Sequence, residues 1–116
     1  MKTVLNFSHP LRPDAVDKLR EMMAVDIRVV DIRVQIDLHE NVAVQVDDLV
    51  DLVLKNHSPF AAMVPPGLSA VAGPLVARLS YAQSDAMLPV PPDIVVMAQE
   101  NGVTPPRFMP VEIMRW

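Results

Sequence analysis

Two short segments, each following an apolar run, have the residue types best suited to bind a ligand. The first is Asn6-Phe-Ser-His-Pro10 and the second is Pro65-Pro-Gly-Leu-Ser69. Each segment has small polar groups where a helix is expected to begin, so the amide hydrogens of residues 68–70 would be free to bind an anion. Gly67 would let a ligand approach the backbone closely. A phosphate group or the edge of a ribose suits such loops best.

The same residues also have an explanation that needs no ligand. Gly67 and Ser69 are what a strand-to-helix turn requires, with Ser69 as the N-cap of the following helix. Asn6 interrupts an apolar strand, and a polar side chain at the end of a core strand must find a hydrogen-bond partner. Taken together, the two loops support the structural and the ligand-binding interpretations equally.

Other site chemistries find little support in the sequence. His9, His39 and His57 lack the spacing of metal ligands, so no metal site is predicted. A serine nucleophile at Ser69 is weakly indicated, because Gly67-Leu-Ser-Ala-Val71 lacks the second glycine of a nucleophile elbow. The glycine motifs of ATPases and dinucleotide enzymes are absent from the sequence, so no cofactor is predicted. No catalytic residue can be named from these patterns.

Composition limits the class of protein and its partners. The 116 residues suit a single domain spanning 1–116, and 51% are hydrophobic, which is enough for a core. Aromatic residues make up 4% and the net charge is −4, with no run of Lys or Arg. Base stacking needs more aromatic side chains, and polyanion binding needs clusters of basic ones. A long nucleic acid is therefore not an expected partner.

The chain has no features of an exported or membrane protein. Without cysteine it fits the reducing cytoplasm, and no signal peptide precedes the first strand. The longest apolar stretch, Phe60 to Ala77, contains three prolines and two glycines, which would leave backbone groups unpaired in lipid. A cytoplasmic location with no membrane partner is therefore predicted.

Changes in hydrophobic period divide the chain into strands and helices. Ile27–Leu38 alternates apolar and polar side chains, which predicts an edge strand with one wet face. Pro74 predicts either a kink in the third helix or a separate short first turn. Prolines at positions 89, 91, 92, 105 and 106 mark loops. Strands are predicted at Thr3–Phe7, Ile27–Leu38, Phe60–Val64, Asp93–Met97 and Phe108–Trp116, and helices at Pro13–Met23, Val46–Asn56 and Leu68–Tyr81.

This order of elements is typical of an α/β fold with a mainly parallel sheet and helices on both faces. The last two strands, joined through a turn at Gln99–Gly102, are predicted to form a C-terminal antiparallel hairpin. If the first strand lies between the second and third, the loops Asn6–Pro10 and Pro65–Ser69 face each other at the carboxyl edge of the sheet. Ligands bind at that edge in open parallel sheets.

The two loops, Asn6-Phe-Ser-His-Pro10 and Pro65-Pro-Gly-Leu-Ser69, and the long alternating segment between them resemble a known family. It consists of small CRISPR-associated accessory proteins of the Csx type, found beside type III systems. The resemblance covers about residues 1 to 80, and the loops are its most specific part. The Gly73-Pro74 interruption departs from the uninterrupted helix expected in that family.

The resemblance implies a Rossmann-like fold related to CARF sensor domains and a homodimer or higher homo-oligomer. It implies binding of cyclic oligoadenylate, most simply cyclic tetra-adenylate, the second messenger that type III complexes make. Such proteins remove the messenger by holding it tightly or by cutting its ring. The ligand-binding residues implied are Asn6, Ser8, His9, Pro66, Gly67, Leu68 and Ser69.

Ring cleavage, if it occurs, would be attack of a ribose 2′-hydroxyl on the adjacent phosphate, which requires positioning and charge stabilisation but no metal. His9 would either transfer a proton or bind ribose or adenine. The sequence has no evident acid–base pair, so binding is favoured over fast catalysis and enzyme activity stays open. Arg12 and Arg78 are the candidate basic groups.

Two other functions remain open on the sequence. One is a structural or interaction subunit with an empty cleft, using the apolar surface near Met109–Met114 as an interface. The other is a hydrolase that uses Ser69 as its nucleophile.

Overall fold

The computed structural model describes residues 1–57, 59–84, 92–100, 102 and 107–115. Five strands and three helices are formed in the order strand–helix–strand–helix–strand–helix–strand–strand. The strands are β1 (Lys2–Asn6), β2 (Ile27–Asp31), β3 (Ala62–Val64), β4 (Asp93–Glu100) and β5 (Arg107–Met114), and the helices are α1 (Pro13–Met23), α2 (Val42–Asn56) and α3 (Ser69–Ser84).

The strands form one sheet in the order β2-β1-β3-β4-β5. The first four are parallel to their neighbours, and β5 pairs with β4 in antiparallel fashion. The predicted α/β class and the C-terminal hairpin are confirmed, and the architecture is consistent with a Rossmann-like fold. Strand β1 lies between β2 and β3, which is the condition under which the two loops were expected to face each other. The first crossover moves one way along the sheet and the next two move the other way, so the direction reverses between β1 and β3.

Helices cover both faces of the sheet. On one face, Leu19 of α1 packs with Val4 and Val64. On the other, α2 and α3 enclose Leu5 and Met63. Because neighbouring residues of β1 point to opposite faces, both Val4 and Leu5 are fully buried, as is usual for parallel strands.

Helix α1 follows its sequence prediction from end to end. Pro13 occupies the first turn, where its missing amide hydrogen costs nothing, and Asp14 lies at the positive end of the helix dipole. Leu19 is fully buried at helical spacing from Ala15. The helix ends because Ala24 adopts the left-handed conformation, with φ of 58°.

The predicted second strand is too long. The structure places β2 at the sheet edge as expected, but the strand ends at Asp31 and residues 32–37 have no regular structure. Its partner β1 ends at Asn6, so the ladder stops there apart from one bond from Ile32 N to Asn6 O at 2.8 Å. Val34 and Ile36 still pack on the α2–α3 side of the core, which explains the alternating pattern.

Two further elements differ from prediction at their ends. Helix α2 begins earlier, at Val42, because Asn41 caps it by accepting a hydrogen bond from Val44 N at 3.2 Å. Strand β3 begins later than expected, at Ala62. Phe60 is buried but lies outside the strand, so its apolar character reflects core packing.

Helix α3 runs through Pro74 as one helix, and no separate first turn precedes it. Pro74 lacks the amide hydrogen that would bond to Ala70, a residue near the start of the helix that is exposed to water. The predicted N-cap is wrong by one residue. Leu68 O accepts from Val71 N at 3.0 Å and from Ala72 N at 2.9 Å, so Leu68 is the capping residue and Ser69 is the first helical residue.

Strand β4 is longer than predicted, and the β4–β5 hairpin extends past the rest of the sheet. Strand β4 continues to Glu100 where a turn was expected from Gln99, yet it pairs with β3 only through Asp93 and Ile94. The pairing register changes between Val96 and Met97, which leaves one extra residue, Val111, on β5.

Some predictions fall on residues outside the described ranges. These are Asn101 and Trp116 and the loop prolines 89, 91, 105 and 106. Among the helices of the described residues, none has both the length and the apolar character needed to cross a bilayer.

Candidate functional site

The two predicted ligand loops lie side by side at the carboxyl edge of the sheet. Asn6 of β1 is aligned with Val64 of β3, and Phe7 N donates to Val64 O at 2.9 Å just as the strands end. The loop after β1 therefore begins next to the loop after β3. Since the crossover direction reverses between these strands, the loops diverge and leave a crevice where parallel α/β proteins bind ligands.

The crevice has two compartments, one on either side of the β1–α1 loop. The hairpin-side compartment has a volume of about 770 Å³ and the β2-side compartment about 820 Å³. Ser8, His9, Pro10 and Gly67 line both of them. The hairpin-side compartment is also lined by Leu11, Arg12, Val64, Pro65, Ile94–Met97, Arg107 and Phe108, and the β2-side compartment by Phe7, Asp31–Val34, Pro66 and Leu68.

Asn6 supports the loop from beneath and lines neither compartment. Its side chain is fully buried, its Oδ1 accepts from Ser8 N at 3.1 Å, and its Nδ2 donates to His9 O at 2.9 Å. Nδ2 donates also to Asp31 Oδ1 at 2.9 Å. Both amide hydrogens are thus used within the chain, and the partner that a buried Asn requires is supplied by the loop and the end of β2.

The β3–α3 loop gives the crevice an open wall of backbone. No atom lies within 4 Å of a Cβ built on Gly67, so a side chain there would project into empty space. Pro66 is buried beneath the loop, whereas Leu68 is 48% exposed and lines the β2-side compartment. The amide hydrogens of Ser69 and Ala70, in the first turn of α3, have no carbonyl partner within the helix.

The side chain of Ser69 lies outside the crevice. It is exposed, lines neither compartment and makes no side-chain hydrogen bond within the described part of the chain. A nucleophilic serine would need a base within hydrogen-bond reach. The geometry therefore gives the hydrolase alternative no support, and Ser8 is the serine whose position faces the crevice.

The three histidines lie in three different loops or turns. His9 lines both compartments, His39 lies in a turn where its amide donates to Asp37 Oδ1 at 2.9 Å, and His57 caps the end of α2. Among the described residues, no group of three or more His, Cys, Asp or Glu side chains is placed to hold a metal ion.

The basic groups at the crevice differ in part from those expected. Arg12 lines the hairpin-side compartment, as its closeness to the first loop predicts. Arg78 instead pairs with Asp47 of α2 and lines neither compartment. Sequence reasoning missed Arg33 and Arg107, which line the β2-side and hairpin-side compartments respectively. Arg33 belongs to the alternating segment, and nothing near Arg107 in the sequence marks it as a site residue.

Arg107 ties the hairpin to the start of α1. Its Nε donates to Glu100 Oε2 at 2.5 Å, and its Nη1 donates to Asp14 Oδ2. The hydrogen bond from Arg107 lowers the pKa of the Glu100 carboxyl, and the same bond raises the pKa of the Arg107 guanidinium. The outer wall of the hairpin-side compartment is thus held in place by charge.

Neither a protein-family model, nor a curated protein, nor a solved structure matches this chain. The crevice itself is therefore the basis on which a function can be inferred. The crevice offers the exposed backbone at Gly67, one imidazole, one carboxylate and three guanidinium groups, of which those of Arg12 and Arg107 are paired with Asp14, around a space of ligand size. That set of groups suits a small ligand with phosphate and sugar hydroxyls.

Proposed function

We propose that this protein binds cyclic oligoadenylate, most simply cyclic tetra-adenylate, in the crevice between the β1–α1 and β3–α3 loops. It would act in the cytoplasm to remove the messenger, by sequestration, by slow, metal-independent cutting of the ring, or by both. The observation that carries the proposal is the meeting of these two loops at the point where the crossover direction reverses. In parallel α/β folds, phosphate-bearing ligands occupy that position.

The charge of the crevice supports an anionic ligand although the chain as a whole is acidic. Arg33 lines the β2-side compartment and makes no ion pair within the described residues, whereas Arg12 and Arg107 line the hairpin-side compartment and are paired with Asp14. The amide hydrogens of Ser69 and Ala70, which follow Gly67 closely in the chain, have no carbonyl partner within α3. A phosphodiester can bind such amides without bulk positive charge. Phe108, which is 60% exposed at the hairpin-side compartment, offers a ring on which an adenine can stack.

The size of the crevice supports a ligand longer than one nucleotide. Each compartment lies within the range of about 300–1,000 Å³ that holds a small molecule, and the compartments share the β1–α1 loop as a common wall. A phosphate at the shared wall would leave one nucleoside on either side. A symmetric ring then suits two copies of the chain related by a two-fold axis, each supplying the same loops.

The groups at the shared wall favour binding over rapid chemistry. His9 is the only imidazole there, and Ser8 is its neighbour in the chain. Attack of a 2′-hydroxyl on the adjacent phosphate needs alignment and stabilisation of the developing charge, to which the amides near Gly67 would contribute. Within the described residues the His9 imidazole makes no hydrogen bond to a second acid–base group, the Asp31 carboxylate of the same compartment included, so turnover is expected to be slow.

The test is incubation of the protein with radiolabelled cyclic tetra-adenylate, followed by a native gel and separation of products. We expect a shifted complex, with any linear product formed equally well in the presence of EDTA. A ligand at 100 times its Kd would stabilise the fold by about 2.7 kcal/mol. Absence of both a shifted band and thermal stabilisation at high ligand excess would overturn the proposal.

A matched pair of variants ties this test to the crevice. His9→Ala removes the imidazole that lines both compartments, and we expect weaker binding without loss of the fold. His39→Ala removes an exposed imidazole from a turn outside the crevice and should bind as the unmodified chain does. Equal weakening by both substitutions would argue against a site at the β1–α1 loop.

An interaction subunit is the second candidate, and it is favoured by the apolar surface of the hairpin. Val111 and Met114 are 51% and 54% exposed on β5, within the segment Met109–Met114 near which the apolar surface was predicted. Sedimentation of the chain with and without cyclic tetra-adenylate separates the candidates. Association that depends on Val111 but not on the ligand would favour the interaction subunit.

A further inference from the structure

Asp31 stands where the second strand meets the crevice. It is the last residue of β2, it is aligned with Asn6 of β1, and it lines the β2-side compartment together with Ser8 and Gly67. The sequence pattern assigned it only to the wet face of an edge strand. Because β2 ends at this residue, its carboxylate lies beside the loops rather than along the sheet edge.

The carboxylate is held in place by the buried amide of Asn6. Asp31 Oδ1 accepts from Asn6 Nδ2 at 2.9 Å, and that amide is itself fixed by Ser8 N and His9 O. The backbones are joined as well, since Ile32 N donates to Asn6 O at 2.8 Å. The carboxylate is therefore oriented before any ligand arrives, which reduces the entropy lost on binding.

The second oxygen of this carboxylate is available. Asp31 is exposed, and within the described part of the chain its Oδ2 makes no hydrogen bond and no ion pair. Arg33 lines the same compartment without pairing to it. Oδ2 of Asp31 can therefore accept a hydrogen bond from a donor on a ligand.

The chemistry of the crevice restricts what that donor can be. A carboxylate repels phosphate oxygens, so beside an anion-binding loop its partner must be an uncharged donor on the same ligand. Sugar hydroxyls fit this requirement, and an acidic residue at the end of the second strand binds the ribose 2′-hydroxyl in dinucleotide-binding folds. In a ring of 3′,5′-linked nucleotides the 2′-hydroxyl is the free hydroxyl of each ribose.

We propose that Asp31 accepts a hydrogen bond from a ribose 2′-hydroxyl of the ligand and thereby selects ribonucleotides over deoxyribonucleotides, with Asn6 as its positioning residue. The inference rests on the proposed function, because it deepens the account of the same crevice. Loss of a hydrogen bond to a charged acceptor costs roughly 10- to 100-fold in affinity.

The test compares cyclic tetra-adenylate with its 2′-deoxy counterpart, which has the same charge. The ratio of the two Kd values removes the general effect of changing a charge near an anion. We expect the unmodified chain to prefer the ribose form by roughly 10- to 100-fold and Asp31→Ala to bind both forms equally. Asp31→Asn keeps an uncharged oxygen at the site and should show an intermediate ratio even if the alanine variant does not fold.

Asp26→Asn is the matched control, since Asp26 is an exposed carboxylate just before the opposite end of β2, where it pairs with Arg20 at 3.3 Å. It should keep the full preference for ribose. Equal affinity of the unmodified chain for both rings, or an unchanged preference in Asp31→Ala, would overturn the inference while leaving the proposed function intact. Binding of neither ring would overturn both.

Discussion

The guanidinium of Arg107 donates a hydrogen bond from Nη1 to Oδ2 of Asp14, a residue 93 positions earlier in the chain. The bond joins the far end of the β4–β5 hairpin, where Arg107 and Phe108 line the hairpin-side compartment, to the first turn of α1. Beyond Ile94 the hairpin is paired to no other strand of the described sheet. Its position over the crevice is therefore set by side-chain contacts, namely this one and the apolar packing of Val95, Met97 and Ile113 on the α1 side of the core.

Arg107→Gln is expected to loosen the hairpin while leaving the core intact. The glutamine cannot form an ion pair with both Asp14 and Glu100, and the hairpin has no neighbouring strand to hold it there. Hydrogen exchange of β4 and β5 amides should speed up several-fold, whereas amides of β1 should be unaffected. Asp14→Asn should have a similar effect, and the double variant should add little to either one. Fully additive effects would contradict a direct link.

The hydrogen bond between Arg107 and Glu100 makes the stability of the protein depend on pH in the acidic range. The bond from Arg107 places the folded-state pKa of Glu100 below its ordinary value of 4.5, so its contribution to stability is complete above that pH. As the pH falls through the lower, folded-state pKa, the carboxyl takes up a proton and the contribution is lost. Urea unfolding at pH 6 and at progressively more acidic values should show a smaller pH dependence for Glu100→Gln than for the unmodified chain. An identical pH dependence would contradict the assignment.

Asn6→Ala is expected to destabilise the fold by about 2–4 kcal/mol, measured by urea unfolding at neutral pH. The substitution removes three side-chain hydrogen bonds from a fully buried position and leaves Ser8 N and His9 O to find new partners. Asn56→Ala provides the control, because its exposed side chain donates only to Leu52 O. That control should change stability by less than about 0.5 kcal/mol.

Substitutions at Gly67 test the crevice without disturbing the core. A Cβ at this position meets no atom within 4 Å, and its φ is not in the left-handed region, so larger residues are expected to fold normally. Affinity for cyclic tetra-adenylate should fall slightly for Gly67→Ala and by at least about tenfold for Gly67→Leu, whose side chain would project from a position that lines both compartments. Isothermal titration with parallel melting curves measures the two effects. Full affinity in Gly67→Leu would place the ligand elsewhere.

The sequence predicted the elements that local chemistry determines. Helix α1 was located correctly because Pro13 and Asp14 favour its start and the apolar spacing persists to Met23. Strand β2 was extended too far for a definable reason. Alternation from Ile32 onward reports which side chains are buried, and it does not report that β1, the partner strand, has already ended at Asn6.

The sequence predicted the two loops that form the candidate site but only some of the side chains that line it. The two loops could be paired because topology rules bring the ends of β1 and β3 together. Arg107 could not be found, since its contact with Asp14 joins residues 93 positions apart and depends on how far the hairpin extends. Asp31 was overlooked because a second strand that continued to Leu38 would have placed it in the middle of that edge strand, away from the loops at the carboxyl edge of the sheet.

The extra residue on β5 limits how two copies of this chain can associate. Val111 interrupts the regular alternation of inward- and outward-pointing amides on the outer strand, and its neighbour Pro110 has no amide hydrogen at all. A second molecule therefore finds no continuous ladder to extend there. Assembly of a dimer through a single shared ten-stranded sheet is disfavoured at this edge, which leaves the β2 edge, the crevice rim, the helices and the exposed face of the hairpin as the surfaces through which copies would meet.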